Sequence, residues 1–182
     1  MTRKSLYATL SLLAAAILSG CAETNIKSAR SPDYNRMPQR LFVVASLGNP
    51  FVDSLFHKYQ TDFAEDFRQD LQSCNVTADV TFTEFTALHI ATDEKIQNFK
   101  PDAVLSIQWT KINTLGRAFL GGIYHLDLKD QSSGVIVWDA NVDFAMNGQG
   151  GFTDPGEILI HSVVNRMVAD TVLPKGCFIP EK

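Results

Sequence analysis

The spacing of apolar residues changes near Gln108, and that change constrains the fold more than any other feature. Before it, strand-like runs alternate with helix-like stripes, and from Gln108 to Phe144 only strand-like runs remain. The first pattern is typical of parallel strands joined by helices, and the second of antiparallel strands joined by turns. The sequence therefore predicts an α/β domain that combines both.

Five segments make up the first half of this pattern. The run Leu41-Phe42-Val43-Val44-Ala45 has no polar alternation, which is typical of a strand covered on both faces. A helix is predicted over residues 50–73, then an alternating strand over 76–84. A short helix begins at Thr92 and ends before Pro101, and a buried strand follows over 102–107. Because crossovers of this kind are right-handed, we expect a parallel β-α-β-α-β core.

The predicted helix over residues 50–73 carries four acidic residues, Asp62, Glu65, Asp66 and Asp70. Its apolar stripe repeats mostly every four residues and therefore drifts around the helix. Asp66 and Asp70 consequently fall at angles that earlier turns use for burial. We expect the last two turns to overhang the sheet and the carboxylates to form a solvated face, in preference to a cation site.

Two strands of alternating polarity follow residue 108, separated by a turn at residues 130–134. The alternation predicts an antiparallel β-hairpin with one buried and one solvated face. A last helix begins at Asp154-Pro155-Gly156-Glu157, with Asp as the cap and Pro at the first position. This C-terminal helix closes a single α/β domain of two or three layers. The hairpin residues predicted to be buried are Tyr124, Leu126, Leu128, Ile136, Trp138, Ala140, Val142 and Phe144.

The solvated face of the predicted hairpin carries the main candidate site. Pairing buried residues with buried residues allows two neighbouring registers, with His125 opposite either Asp139 or Asn141. A histidine among several carboxylates could bind a divalent metal ion or transfer protons. The alternative, which we favour, is an ordinary cross-strand charge pair in solvent, with no metal assigned. The candidate residues are His125, Asp127, Asp139, Asn141 and Asp143.

Other motifs give no sign of catalysis. The glycine-rich residues 148–151 precede a helix, but Asp154 would occupy the place of a bound phosphate. No Gly-x-Ser-x-Gly, Cys-x-x-Cys or His-Glu-x-x-His sequence occurs. His57, His89 and His161 have no neighbour in sequence that suggests metal ligation. We therefore expect a protein that is not an enzyme and has no cofactor.

The N-terminus has the layout of a secretory signal. Arg3 and Lys4 precede an apolar run over residues 6–18, which is too short for a permanent membrane span. The ending Leu18-Ser19-Gly20-Cys21 resembles the lipobox of bacterial lipoproteins. The resemblance implies removal of residues 1–20, acylation of Cys21 and attachment to a lipid bilayer. Ala22, where inner-membrane members of the family tend to have Asp, favours the outer membrane.

The segment after Cys21 is polar and contains Pro32 and Pro38, so we predict a flexible lipidated tether over residues 21–39 with a reach of about 20–25 Å. The α/β domain then occupies residues 40–182. Removing residues 1–20 leaves 162 of the 182 residues and lowers the formal net charge from −4 to −6. An acidic domain without a basic patch argues against nucleic acid as a partner and against membrane binding through charge.

Cys74 and Cys177 are the cysteines left once Cys21 is acylated. In an oxidising compartment they are candidates for a disulfide, although two unrelated buried thiols are the alternative. A bridge between them would close a loop of about 100 residues and contribute about 4–5 kcal/mol in the chain-entropy model.

Three features of the domain resemble small envelope lipoproteins. They are the Leu41–Ala45 run, the step Lys100-Pro101-Asp102-Ala103-Val104, and the turn from Asp130 through Ser133-Gly134 to Trp138. The types resembled are the curli-secretion lipoprotein, the penicillin-binding-protein activator lipoproteins and the N-terminal domain of the Tol translocation protein. The resemblance implies accessory or assembly proteins that act by contact with envelope proteins, in some cases as rings of identical subunits.

The predicted function is thus a non-catalytic accessory lipoprotein on the periplasmic side of the outer membrane, with an envelope protein as partner and homo-oligomers allowed. A lipoprotein that binds a small ligand or glycan is the first alternative, and a hydrolase the second. A glycan site would need Trp109 or Tyr124 exposed beside polar groups.

Overall fold

A computed structural model of the protein describes residues 23–47, 53–83, 90–115, 118–145 and 155–177. These residues form one mixed α/β domain, as the sequence predicts. It contains a six-stranded sheet and, within the described ranges, three helices. The strands are β1 Glu23–Arg30, β2 Arg40–Ser46, β3 Thr77–Phe82, β4 Ala103–Leu115, β5 Ala118–Asp130 and β6 Ile136–Ala145, and the helices are α1 Asp53–Ser73, α2 Ile90–Phe99 and α3 Pro155–Ala169.

The order of the strands across the sheet is β1-β6-β5-β4-β2-β3. Strand β2 pairs parallel with β3 on one side and with β4 on the other. The remaining pairs, β4–β5, β5–β6 and β6–β1, are antiparallel. The sheet therefore has a parallel part, whose strands are linked through helices, and an antiparallel part of four neighbouring strands.

Helices α1 and α3 pack against each other and lie over the same face of the sheet. Their apolar side chains join those of all the central strands in one core cluster. Helix α2 lies on the opposite face, where Phe99 packs against Phe42 of β2 with ring centroids 5.6 Å apart. Because β2 is covered from both sides, Leu41, Phe42 and Val43 are fully buried.

Alternation along β5 and β6 places every second residue in this core. Tyr124, Leu126 and Leu128 are buried, and each large apolar side chain of this kind contributes about 1.5–3 kcal/mol. The prediction that Ile136 belongs to the same set is wrong, because Ile136 is 55% exposed while Val137 is 4% exposed. The reason is a shift in pairing: Leu128 lies opposite Trp138, but the next residue, Lys129, lies opposite Ile136.

The structure corrects the predicted tether. Residues 23–30 form the edge strand β1, which pairs with β6 from Glu23 opposite Ala145 to Arg30 opposite Trp138. The chain then stays on the domain, since the Ser31 amide donates to the Val137 carbonyl and Tyr34 is 7% exposed. The folded domain therefore includes residues from 23 onward, and the predicted start at residue 40 is wrong.

A polar network fastens β1 to β6 and to the end of α3. The Asp170 carboxylate accepts hydrogen bonds from the Trp138 indole (2.8 Å), from the Ser28 hydroxyl and from the Arg166 guanidinium (3.2 Å). Arg166 also donates to the Ser28 hydroxyl at 2.6 Å. Hydrogen bonds to a charged acceptor are the stronger kind, so these contacts stabilise an edge strand that has few apolar residues.

The prediction that Cys74 and Cys177 form a disulfide is confirmed, with their Cα atoms 4.7 Å apart. The bridge joins the residue just after α1 to the tail that follows α3.

The end of α1 does not overhang the sheet, because it packs against α3. Asp70 is consequently 8% exposed, with its carboxylate 3.4 Å from the His161 imidazole of α3. A solvated position for Asp70 was therefore a wrong prediction.

Candidate functional site

The face of the sheet opposite α1 and α3 carries the candidate site. Phe42, Val104 and Lys129 lie side by side on this face in the strand register, so α2 covers its β2 end. Towards β1 the face becomes polar, and its side chains are exposed or half-exposed. We call this polar part the open face. It consists of Asn25, Lys27, Ala29, Ser106, Gln108, His125, Asp127, Lys129, Asp139, Asn141 and Asp143.

Of the two registers that the sequence allows, the structure has His125 opposite Asn141. Asp127 lies directly opposite Asp139 in the same register. The next positions outward are small, because Ala29 lies opposite Asp139 on β1 and Ser106 lies opposite Asp127 on β4. The row thus holds two carboxylates side by side with an uncharged residue at each end.

His125 is the centre of contacts on the open face. Its Nδ1 lies 3.3 Å from the Asn141 side-chain oxygen, and its Nε2 lies 3.2 Å from Asp127 Oδ1 and 3.6 Å from Asp139 Oδ2. The side chains of the three titratable residues, His125, Asp127 and Asp139, are between 27% and 44% exposed. Four of the five predicted site residues therefore meet at one point. The fifth, Asp143, lies opposite Ile123 and outside this group.

The contacts place each ring nitrogen of His125 beside a different partner. Nδ1 lies 3.3 Å from the Asn141 side-chain oxygen, which accepts a hydrogen bond when Nδ1 carries the proton. Nε2 faces the carboxylates of Asp127 and Asp139. Like charges directly opposite each other destabilise a sheet, so this point on the open face favours a positive charge.

The tight turn between β5 and β6 holds a carboxylate that sequence reasoning treated only as part of a turn. Asp130 is 5% exposed and accepts hydrogen bonds from the Ser132 hydroxyl (2.7 Å), the Ser133 hydroxyl (2.7 Å) and the Ser133 amide (2.8 Å). Burial alone would raise the pKa of Asp130, but these hydrogen bonds and the Arg36 charge outweigh it and lower the pKa. The Asp-Gln-Ser-Ser-Gly sequence is the signal that points to this arrangement.

The aromatic residues proposed as a glycan surface do not form one. Tyr124 is 2% exposed, and its burial raises the pKa of the phenol to about 12. Trp109 is partly buried and packs against the core cluster. Neither ring lies flat and exposed beside the polar residues of the open face, which is what a stacking sugar would require.

Some predicted features lie outside the described residues, namely Cys21, His89 and residues 148–151. His161, which had no partner in the sequence, lies between helices beside Asp70 (3.4 Å) and Glu157 (4.0 Å). Among the helices that the structure describes, none has the length and apolar character needed to cross a membrane.

No family model matches this chain, and no curated protein matches it. A variant PelC dodecamer from Paraburkholderia phytofirmans is similar at 16% identity and a TM-score of 0.48, over 78% of this chain and 96% of that one. A second crystal form of the PelC dodecamer matches at 15% identity and a TM-score of 0.46, over 84% and 100%. A PDZ domain protein from Parabacteroides distasonis matches at 9% identity and a TM-score of 0.39, over 88% of this chain and 39% of that one. Likeness at this level transfers no function.

Proposed function

We propose that this chain is an outer-membrane lipoprotein that acts without catalysis, by contact between its α/β domain and another envelope protein. The observation that carries the proposal is the Leu18-Ser19-Gly20-Cys21 sequence after a charged start and an apolar run. Acylation of Cys21 would attach several chains to one residue, which is enough for stable anchoring where a single chain is not.

The disulfide supports a location outside the cytoplasm. Cys74 and Cys177 are bridged, and structural disulfides persist in oxidising compartments such as the periplasm. The same compartment is where a lipoprotein domain on the inner leaflet of the outer membrane would fold.

The position of β1 changes how such an anchor would hold the domain. Glu23, the first residue of β1, follows Cys21 by two residues, a span of at most about 7 Å. The domain would therefore rest against the bilayer instead of hanging from a tether of 20–25 Å. Its formal charge of −6 gives it no electrostatic attraction to anionic lipid, so the acyl chains would supply the membrane affinity.

Metabolic labelling with an alkyne analogue of palmitate, followed by mass spectrometry, tests the anchor. We expect labelled Cys21 and protein in the outer-membrane fraction, and loss of both in Cys21→Ala. Ala22→Ser is the matched control, because it changes the neighbouring residue but leaves Cys21 in place. Unlabelled wild-type protein in the soluble periplasmic fraction would overturn the proposal.

The contact role is tested separately, with a photo-crosslinking amino acid at Gln108 on the open face. The same amino acid at Gln72, an exposed position of α1, is the control. A reproducible protein adduct from position 108 supports the proposal, and an adduct with a second copy of this chain identifies a homo-oligomer. Saturable glycan binding without any protein adduct would favour the alternative of a glycan-binding lipoprotein.

A further inference from the structure

We propose that His125, Asp127 and Asp139 on the open face bind a divalent transition-metal ion with the properties of Zn²⁺. This inference rests on the geometry and the charges of side chains on the open face, and it does not depend on the anchor or on the partner proposed above. It would make the open face a metal-binding surface of this domain.

The distances between the three groups suit a single ion. Bonds of 2.0–2.2 Å at tetrahedral angles place neighbouring ligand atoms about 3.3–3.6 Å apart. Nε2 of His125 lies 3.2 Å from Asp127 Oδ1 and 3.6 Å from Asp139 Oδ2. One donor atom from each of the three residues lies within 4.8 Å of the others. The ion would need only small side-chain movements to reach all three.

The orientation of the imidazole matches that of a metal ligand. A ligating histidine usually donates its other ring N–H to a nearby acceptor, which fixes the ring and the tautomer. Here the Asn141 side-chain oxygen lies 3.3 Å from Nδ1 and provides such an acceptor. In the tautomer that is protonated at Nδ1, the Nε2 lone pair is directed at the two carboxylates, so all three groups can ligate one ion.

The electrostatics of the strand register also call for a cation. Asp127 and Asp139 face each other across β5 and β6, and their outer neighbours are Ser106 and Ala29. Lys27, the lysine of β1, lies opposite Asn141 instead of opposite either aspartate. A divalent ion bound between them would neutralise both carboxylates.

The donor set selects among metals. One imidazole and two carboxylates suit Zn²⁺ or Mn²⁺, whereas Ca²⁺ takes six to eight oxygen ligands. Three protein ligands leave at least one position of a tetrahedral ion unfilled. Because the three side chains are between 27% and 44% exposed, that position opens to water or to a ligand from another molecule.

Isothermal titration of the untagged protein with Zn²⁺, Mn²⁺ and Ca²⁺ tests the site. We expect one Zn²⁺ per chain, weaker Mn²⁺ binding and no saturable binding of Ca²⁺. The double variant Asp127→Asn/Asp139→Asn should bind Zn²⁺ at least about tenfold more weakly, since loss of even an outer partner costs that much. Asp143→Asn removes a carboxylate from the same face and should keep the wild-type affinity.

Two further measurements keep the result unambiguous. Substitution with Co²⁺ should give the intense visible absorption of a tetrahedral ion in the wild type and lose it in His125→Ala, while far-ultraviolet circular dichroism checks that the variants fold. Absence of saturable Zn²⁺ binding would overturn the proposal. So would Zn²⁺ binding that survives the double Asp variant and disappears in His161→Gln, because the ion would then belong beside Asp70 and Glu157.

Discussion

Alternate residues of strands β5 and β6 point to opposite faces of the sheet, and these two faces differ in burial and in polarity. On one face Leu126 is fully buried under α1 and α3. On the other, its two neighbours in sequence, His125 and Asp127, are partly exposed to solvent. The strand period of two is the cause, because successive side chains point to opposite sides of the sheet.

The difference separates the face that stabilises the folded domain from the face at which we propose binding. The covered face derives its energy from area removed from water and from close packing, so its residues are interchangeable only with residues of similar volume. The open face contributes little to folding, and it tolerates two carboxylates directly opposite each other. Substitutions on the covered face should therefore change stability, and substitutions on the open face should change ligand binding.

The largest expected effect comes from the Cys74–Cys177 disulfide, which links the end of α1 to the tail after α3. Cys74→Ser/Cys177→Ser opens a loop of 103 residues and should lower the free energy of unfolding by about 4–5 kcal/mol in the chain-entropy model. Urea unfolding of oxidised, reduced and double-variant protein measures the loss. Equal midpoints for all three would show that the bridge adds nothing to the packing of α1 on α3.

The next effect compares two adjacent residues on opposite faces. Leu126→Ala should lower the free energy of unfolding by about 2–5 kcal/mol, because it leaves a cavity under the helices. His125→Ala, one residue away on the open face, should change it by less than about 0.5 kcal/mol. Both values come from urea unfolding monitored by tryptophan fluorescence. Similar losses for both variants would contradict the assignment of the two faces.

A smaller effect concerns a buried charge at the end of β5. Because folding lowers the pKa of Asp130 from its ordinary value of 3.8, its ionised form stabilises the folded state above that pH. That contribution is lost as the pH falls through the folded pKa. Asp130→Asn should therefore cost about 1–2 kcal/mol at pH 7 and progressively less below pH 4.

Unfolding in urea at pH 7, 5, 4 and 3 provides the check on Asp130. Asp143→Asn is the matched control, since this carboxylate is exposed on the open face and should show the same small difference at every pH. A constant penalty for Asp130→Asn across the range would show that its charge is unimportant to the turn.

The smallest effect has the opposite sign. Asp127→Asn in metal-free protein should raise the free energy of unfolding by up to about 0.5 kcal/mol, because it relieves repulsion from Asp139 across the strands. Thermal unfolding at pH 8 and low salt measures the change, and 0.5 M salt should reduce it by screening. A loss of 2 kcal/mol or more would mean that Asp127 is part of the folding core.

The spacing of apolar and polar residues along the sequence is enough to predict the mixed α/β domain and the buried residues of β5. It was also enough to place His125, Asp127, Asp139 and Asn141 on one face, because alternation fixes which side of the strand each residue occupies. Pattern alone left two registers open, since both keep buried residues paired with buried residues. The register with His125 opposite Asn141 is what brings Asp127 and Asp139 face to face.

The wrong predictions for β1 and for Asp70 both concern interactions between residues far apart in the sequence. Strand β1 contains one large apolar residue, Ile26, and it is held by backbone pairing with β6 and by the Asp170 network. Nothing within residues 23–30 signals a strand, because the partner groups lie more than 100 residues away. Asp70 was misplaced for the same reason, since its partner His161 lies on α3.

Pairing of the first strand with the last has a consequence for the order of folding. Because synthesis delivers the N-terminus first, β1 has no partner until β6 has followed, and Ser28 must then find Asp170 across 142 residues of sequence. Closing so long a loop is slow and occurs late, whereas the pairs β4–β5 and β5–β6 form between neighbours. We expect hydrogen exchange during refolding to protect the amides of β5 before those of β1. Until then the free edge of β6 can pair with other chains, so the pairing of β1 with β6 protects the folded domain against aggregation at this edge.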